Sequence, residues 1–161
     1  MAQLTEEMKR LVSQQRLGFV ATVCPDGTPN LSPKGTTAIW DGDHLVFADI
    51  RSPVTIKNLR LNPAIEINVV DPIVRKGFRF KGTARILDTG PLFTEILDFF
   101  QRERGLDAER VQSIVLIEVV QARPLISPAY DDGASEQEIS ERWTRYFAGL
   151  RSEEPAEAVS D

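Results

Sequence analysis

The sequence predicts a mainly β protein, an antiparallel barrel or sheet with added helices. About six strand-like segments and four helix-like segments can be distinguished by their hydrophobic periodicity. Most strand segments follow one another directly, and two of the connections are the tight turns "CPDGTP" and "DGD". Strands and helices therefore do not alternate as in a parallel α/β protein. The 161 residues are enough for one domain with its own core.

The first part of the chain predicts one helix and three strands. Residues 4–15 form an opening helix, because Thr5 can act as N-cap and apolar residues recur on one face. Residues 17–23 are apolar on both faces, as in a covered strand. A second strand at 30–40 is interrupted by Pro33 and Gly35. With a third strand at 44–50, the two tight turns predict an antiparallel meander.

The rest of the chain is read in the same way, from capping residues, proline positions and periodicity. Ser52 can cap a short helix with Pro53 at its first position, and Gly105 ends a longer one. The predicted elements are a helix at 52–63, strands at 64–71 and 74–86, a helix at 89–105, a strand at 111–127 and an amphipathic helix at 135–150.

Composition and charge exclude several classes of function. The net charge of −5 argues against general nucleic-acid binding. No apolar run has the length of a membrane helix, and the first residues lack the apolar region of a signal peptide. One cysteine and one histidine exclude an intramolecular disulfide and a Cys/His zinc cage, so a cytoplasmic protein without a metal is predicted. Residues 1–150 are predicted to form the domain, and 151–161 an acidic, disordered tail.

The segment "VRKGFRFKGTARI" (74–86) contains five cations and no acid. Read as a strand, it places Arg79 on a cationic face and Phe78 and Phe80 on an apolar face that points to a core. Lys81 and Arg85 fit a solvated sheet surface, paired with an acid such as Glu66 across the sheet. At the start of the strand, "RKG" joins two cations to a glycine, which is a pattern that can hold a phosphate.

Two further segments could bind an anion. In "LSPKGTTAI", Lys34 lies between Pro33 and Gly35, and the alternative is an ordinary outward-facing lysine at a bulge. In "ADIRSPVTIKN", Ser52, Thr55 and the N–H groups of a helix start offer donors, although capping alone could explain Ser52. Each signal is weak by itself, but all three lie in one small domain.

Familiar catalytic motifs are missing. The sequence contains no P-loop, no G-x-G-x-x-G and no G-x-S-x-G. His44 follows a turn and is read as a surface residue, and Cys24 has no evident activating partner. No catalytic side chain is therefore predicted, and any enzymatic activity would depend on a cofactor.

The ordered pieces "GFVATVCPDGTPNLSPKGT", "LVFADIRSPVTIKNLRLNPAIEINVVD" and "RKGFRFKGTARI" resemble the pyridoxamine 5′-phosphate oxidase-like proteins, the FMN-binding split β-barrel superfamily. The resemblance covers about residues 17 to 88. It is greatest to the small bacterial FMN-binding branch, because no equivalent of the oxidase's C-terminal substrate segment is visible. It implies a six-stranded antiparallel split β-barrel with flanking helices, and a homodimer with FMN at the subunit interface.

Carried over by position, the resemblance also implies the cofactor-binding residues. Those from the basic strand would come from the same or the partner chain, and Asn58 would support the helix. The implied residues are Pro33, Lys34, Gly35, Thr36, Asp49, Ile50, Ser52, Thr55, Asn58, Arg75, Lys76 and Gly77. Tyr130 and Trp143 are candidates for a substrate pocket, and a core or dimer-interface role is the alternative for Trp143.

The implied function is an FMN-dependent oxidoreductase, which transfers hydride or electrons between a reduced donor such as NAD(P)H and a small organic substrate. One alternative is a flavin-binding protein without turnover, used for storage, electron transfer or sensing. Another is the same barrel with deazaflavin F420 or haem in place of FMN. The sequence does not identify the substrate.

Overall fold

The computed structural model describes residues 3–152. Four helices flank a sheet: α1 (Glu6–Gln15), α2 (Pro53–Leu61), α3 (Pro91–Arg104) and α4 (Glu136–Ser152). The caps follow the sequence, since the Thr5 side chain accepts the Met8 N–H at the start of α1. Gly105 ends α3 in the left-handed conformation. The end of α4 includes residues 151–152 of the predicted tail, and the rest of that tail lies outside the described residues.

Seven strands form one antiparallel sheet that curls into a split barrel. They are β1 (Gly18–Val23), β2 (Pro29–Lys34), β3 (Ala38–Ile39), β4 (His44–Asp49), β5 (Ala64–Asp71), β6 (Lys76–Leu87) and β7 (Ser113–Ile126). Their order across the sheet is β2-β1-β5-β6-β7-β4-β3. The predicted fold class is thus confirmed, with one strand more than predicted.

The additional strand arises where the sequence predicted a single bent one. The chain leaves the sheet after Lys34, turns through Gly35 and Thr36, and re-enters at Ala38 on the opposite edge. The predicted meander of three strands is therefore wrong: β2 pairs with β1, whereas β4 pairs with β3 and β7. Each tight turn still closes a hairpin, "CPDGTP" between β1 and β2 and "DGD" between β3 and β4. The break after Lys34 separates the two hairpins, so they do not form one meander.

The core has two parts, which lie on opposite faces of β4. Leu45 and Phe47 belong to a cluster covered by α1 and α2, together with Phe80 of β6. Val46 and Ala48 belong to a second cluster, which α3 covers. A strand that is buried on both faces explains the continuous apolar run of β4.

The outer face of β6 carries the cations that the sequence placed there. Arg79 Nε lies 2.8 Å from Glu66 Oε1, and Lys81 Nζ lies 3.6 Å from Glu66 Oε2, so the predicted pairing across the sheet is present. Phe80 is fully buried on the other face. None of the helices in the described part of the chain is both long and apolar enough to span a membrane.

Candidate ligand-binding site

Polar side chains of β1, β2 and α2 meet at the start of α2. We call Thr22, Ser32, Lys34, Thr55 and Asn58 the α2 polar cluster. The Lys34 ammonium donates a hydrogen bond of 2.5 Å to Ser32 Oγ, and that oxygen lies 3.4 Å from Thr55 Oγ1. Asn58 Nδ2 donates to Thr22 Oγ1 at 3.0 Å. These contacts tie β1 and β2 to α2, between residues that are up to 36 positions apart in the sequence.

Lys34 is the charged group of this cluster, and it is 8% exposed. Burial lowers the pKa of Lys34 from its ordinary value, and the negative charge of Asp49 offsets this only in part. A buried ammonium with one hydroxyl acceptor is under-solvated, so an additional anion beside it would be stabilising. Lys34 is therefore not the outward-facing lysine that the sequence left as an alternative.

Asp49, at the end of β4, organises the turn into α2. Its carboxylate accepts the Ser52 N–H at 2.8 Å and lies 3.4 Å from the Ser113 hydroxyl. Asp49 is 4% exposed, and these bonds satisfy its charge inside the protein. This arrangement fixes the position at which the helix begins.

The N-cap side chain does not bind the first backbone N–H groups of α2. Ser52 occupies the N-cap position, but its side chain makes no capping hydrogen bond. The first N–H groups of a helix have no intrahelical acceptor, and the helix dipole adds partial positive charge there. Thr55, in the first turn, is buried, and its hydroxyl belongs to the α2 polar cluster. The alternative role of Ser52, capping of α2 by its side chain, is thus not observed.

The orientation of β2 is the reverse of an ordinary half-buried strand. Its polar residues, Ser32 and Lys34, point inward, whereas Leu31 points outward and is 65% exposed. On the neighbouring strand, Phe19 and Val23 lie on the same outer face and are also exposed. The edge of the sheet therefore has a polar inner surface and an apolar outer one.

The end of β2 and the loop after it hold the remaining residues of the predicted "PKGT" group. Pro33 and Gly35 are exposed, and Thr36 is half-buried. The Thr36 hydroxyl accepts the Ala48 N–H at 3.0 Å and lies 3.2 Å from the Ala48 carbonyl, so it ties this loop to β4. Ile50, half-buried, follows directly in the turn towards α2.

The predicted cations Arg75 and Lys76 do not join the α2 polar cluster within one chain. Lys34 is paired with Gly18 of β1, and both β1 and β5 lie between β2 and β6. Three spacings of about 4.8 Å separate these strands by about 14 Å along the sheet. Gly77 is buried, and a Cβ there would overlap the Val69 carbonyl oxygen. The packing against β5 is thus a sufficient reason for this glycine.

Tyr130 and Trp143 lie on the C-terminal segment, and both contact the turn that precedes β6. The Tyr130 hydroxyl donates to the Val74 carbonyl at 2.7 Å. The guanidinium carbon of Arg75 lies 3.4 Å from the centre of the Trp143 ring. The fold thus brings the two predicted substrate residues together with the predicted basic residues.

Sequence reasoning missed Thr22, Ser32 and Ser113. The signal for Ser32 was present, because Asn30, Ser32 and Lys34 alternate with Pro29, Leu31 and Pro33. An alternating strand predicts that one of these faces is buried, and the presence of Lys34 made the apolar face the obvious choice. Thr22 and Ser113 have no comparable signal, since their roles depend on partners far away in the sequence.

Comparison with known proteins agrees with this architecture. Residues 4–124 match the sequence model of the family described as pyridoxamine 5′-phosphate oxidase. Among proteins with curated descriptions, none matches the chain. The match ends in β7, so the segment that carries Tyr130 and α4 lies beyond it.

Several solved structures are similar over most of their length. HupZ from Group A Streptococcus is 32% identical, with a TM-score of 0.69 over 77% of this chain and 95% of that one. An F420 reductase is 26% identical, with a TM-score of 0.57 over 74% and 98%. An FMN-binding protein from Syntrophomonas wolfei, at 15% identity, shares the fold, with a TM-score of 0.62 over 74% and 84%.

Proposed function

The chain belongs to the pyridoxamine 5′-phosphate oxidase family, and from this membership we propose that it binds FMN and acts as an oxidoreductase. The observation that carries the proposal is the buried ammonium of Lys34 beside the open start of α2. A dianionic phosphate is the type of group that such a site stabilises. The site thus fits the phosphate end of a flavin nucleotide.

Several residues of the α2 polar cluster would bind the phosphate of FMN together. Lys34 supplies the charge, Thr55 supplies a hydroxyl, and the first N–H groups of α2 supply donors. Asp49 and Asn58 keep the helix start in place through their buried hydrogen bonds. Pro33, Gly35, Thr36 and Ile50 remain predicted contacts of the cofactor.

When bound, FMN supplies hydride or electron transfer, and the protein's part is to hold and orient it. Neither the substrate nor the electron donor is defined by the site, and NAD(P)H remains the predicted donor. A cytoplasmic location likewise remains a prediction from the cysteine content.

A homodimer is the second part of the proposal. The exposed apolar residues Phe19, Val23 and Leu31 form one continuous outer surface on β1 and β2, which a second copy would cover. A second copy could also bring its Arg75, Lys76 and Gly77 to the α2 polar cluster, which the same residues of one chain do not join. Both features support a cofactor site shared by two subunits.

Two other ligands remain alternatives. The similarity to an F420 reductase supports a deazaflavin, which also carries phosphate. Haem is less consistent with the chain, because a haem iron commonly takes an axial histidine. The single histidine, His44, begins β4, whereas Asp49, beside the α2 polar cluster, ends this strand, so His44 lies about 17 Å along the strand from the proposed site.

Titration with FMN and riboflavin tests the proposal. We expect FMN to bind the purified protein with quenching of flavin fluorescence and a rise in Tm, and riboflavin, which lacks the phosphate, to bind more weakly. An absorption spectrum of the protein as isolated separates flavin, F420 and haem. A protein without colour that FMN neither stabilises nor quenches would contradict the proposal. FMN that binds but is not reduced by NADH or NADPH, nor reoxidised by any acceptor, would favour the flavin-binding alternative without turnover.

A further inference from the structure

We propose that α4 turns Arg75 into a receptor for an oxyanion: Trp143 supports the face of its guanidinium, and the N–H edge binds the phosphate or carboxylate of a ligand. The guanidinium carbon lies 3.4 Å from the ring centre of Trp143, which is close enough for stacking with a cation–π contribution. Stacking uses the face of the planar group and leaves its N–H groups free to bind in the plane.

The N–H donors of Arg75 are not used by the described part of the chain. Its Nε is buried and has no hydrogen-bond partner, and within residues 3–152 its guanidinium forms no ion pair. Because Nε is shielded from solvent, a ligand would bind through the two terminal NH2 groups. Leaving a charged donor unsatisfied costs free energy, so such a group usually has an acceptor. An oxyanion of a ligand is the acceptor that matches the planar fork of arginine.

The backbone of Arg75 is held in an uncommon conformation that aims this side chain. Arg75 has a φ of 56°, in the left-handed region that residues other than glycine rarely adopt. Its N–H donates to the Asp71 carbonyl at 2.9 Å, and its carbonyl accepts the Ser127 N–H at 3.1 Å. Both ends of the residue are thus fixed, and such strain persists only where the surroundings determine it.

Lys76 has a different task, although the sequence placed it beside Arg75 in the same anion site. Its ammonium lies 2.8 Å from Glu136 Oε2, in the first turn of α4, and 4.4 Å from the centre of the Tyr130 ring. This hydrogen bond raises the pKa of Lys76. Lys76 already has an acidic partner and attaches the C-terminal segment to β6, which leaves the oxyanion to Arg75.

The position of this receptor makes α4 part of the ligand site. Arg75 lies within the residues that match the family, whereas α4 and Trp143 lie beyond them, so the aromatic support comes from outside the matched region. Two sources of the oxyanion fit: the phosphate of a flavin held mainly by a second subunit, or an acidic group of another ligand. The first source rests on the proposed function, whereas the second does not.

Inorganic phosphate is the first probe, at constant ionic strength set with chloride. In a Trp40→Phe variant, Trp143 is the only tryptophan, and its fluorescence should change in a saturable way when phosphate binds to Arg75. Arg75→Gln should weaken this binding by at least about 10-fold, because it removes a charge-assisted fork. Arg79→Gln, the same change at an exposed arginine of β6 that pairs with Glu66, serves as the matched control and should retain it. A response that is absent, or that survives Arg75→Gln, would overturn the proposal.

Variants of Trp143 test its positioning role, with stabilisation by phosphate as the readout, since they lack the fluorophore. Trp143→Phe keeps a ring against the guanidinium and should preserve most of the rise in Tm. Trp143→Leu should lose it, while Leu150→Ala, at an exposed position of the same helix, should not. If Trp143→Leu and Trp143→Phe respond equally, the aromatic support does not matter and the proposal fails, regardless of any general effect on folding.

Flavin titrations then separate the two sources. If the oxyanion is the cofactor's phosphate, Arg75→Gln weakens the binding of FMN and leaves riboflavin unchanged. If the oxyanion belongs to another ligand, Arg75→Gln binds both flavins as the wild type does, although phosphate no longer raises its Tm. Both results are consistent with an oxyanion receptor at Arg75. A wild-type protein that binds phosphate through Arg75 but no FMN would reject the proposed function alone. FMN binding without any phosphate effect at Arg75 would reject only the receptor.

Discussion

Replacement of Lys34 by methionine is expected to stabilise the protein without ligand and to weaken its binding of FMN. The two effects have one cause, the burial of the ammonium, which is 8% exposed and has the Ser32 hydroxyl as its acceptor. Burial outweighs the favourable field of Asp49, and the pKa of Lys34 is lowered as a result. The charged form is thus worse solvated in the folded protein than in the unfolded chain.

The loss of FMN affinity follows from the charge that methionine lacks. A hydrogen bond to a charged group contributes about 1.5–3 kcal/mol, so its loss should raise the Kd for FMN by about 10- to 150-fold. Riboflavin has no phosphate, so its affinity should change much less. Methionine has a similar length and is apolar, so a packing defect would not account for a loss of FMN affinity.

The pH dependence of stability gives an independent measure of the same charge. A lysine with a lowered folded pKa destabilises the protein fully below that pKa, and the penalty disappears as the pH approaches the unfolded value of 10.5. In this window the unfolded state holds more protons, so Lys34 makes the free energy of unfolding rise with pH. Lys34→Met should remove this contribution, and FMN binding to the wild type should weaken as Lys34 loses its proton.

Urea unfolding at several pH values and fluorescence titration with both flavins provide the assay. Lys81→Met is the matched control, because the Lys81 side chain is 55% exposed and only 3.6 Å from Glu66, so it should affect neither property appreciably. The reasoning would be refuted if Lys34→Met destabilised the protein while leaving FMN affinity intact. That result would identify Lys34 as a structural partner of Asp49.

Three further substitutions test the framework of the site, each measured by urea unfolding. Asn58→Leu should cost about 1–3 kcal/mol, because it removes a buried amide that donates to Thr22 Oγ1 at 3.0 Å; an unchanged midpoint would argue against this bond. Gly77→Ala should cost at least about 2 kcal/mol, since its Cβ would lie 2.8 Å from the Val70 Cα atom, and a neutral result would show that β5 and β6 can separate. Phe80→Ala, in the fully buried core, should cost about 3–5 kcal/mol; a smaller loss would mean that the core collapses around the cavity.

The strand and helix positions could be largely predicted, because they depend on local signals. Thr5 and Gly105 mark the start of α1 and the end of α3 in both sequence and structure. The connection after Lys34 could not be predicted in the same way. A proline and a glycine indicate a break, but whether the chain bulges or crosses to the other edge of the sheet depends on which strands it later meets.

For the candidate site, sequence patterns predicted Lys34 and Thr55, and the family resemblance implied Asp49 and Asn58; the fold brings these residues together around α2. It grouped Arg75 and Lys76 as one anion site because they are adjacent. In the structure, Lys76 forms an ion pair with Glu136 and Arg75 stacks on Trp143, and both partners lie 60 or more positions later in the sequence. Adjacent residues can have unrelated partners here because Arg75 lies in the turn before β6 with a left-handed backbone, whereas Lys76 begins the strand.

The sequence by itself determined the type of protein: an antiparallel β domain with helices, of the pyridoxamine 5′-phosphate oxidase family, with basic and glycine-containing segments suited to an anion. Periodicity, turns and caps are local, so they can be seen in the chain. Only the tertiary structure decided that β2 turns Lys34 inward and Leu31 outward, and that Arg75 rests on Trp143. Burial and partners are set by contacts between distant segments, and these determine the charge, the pKa and the free donors of a site.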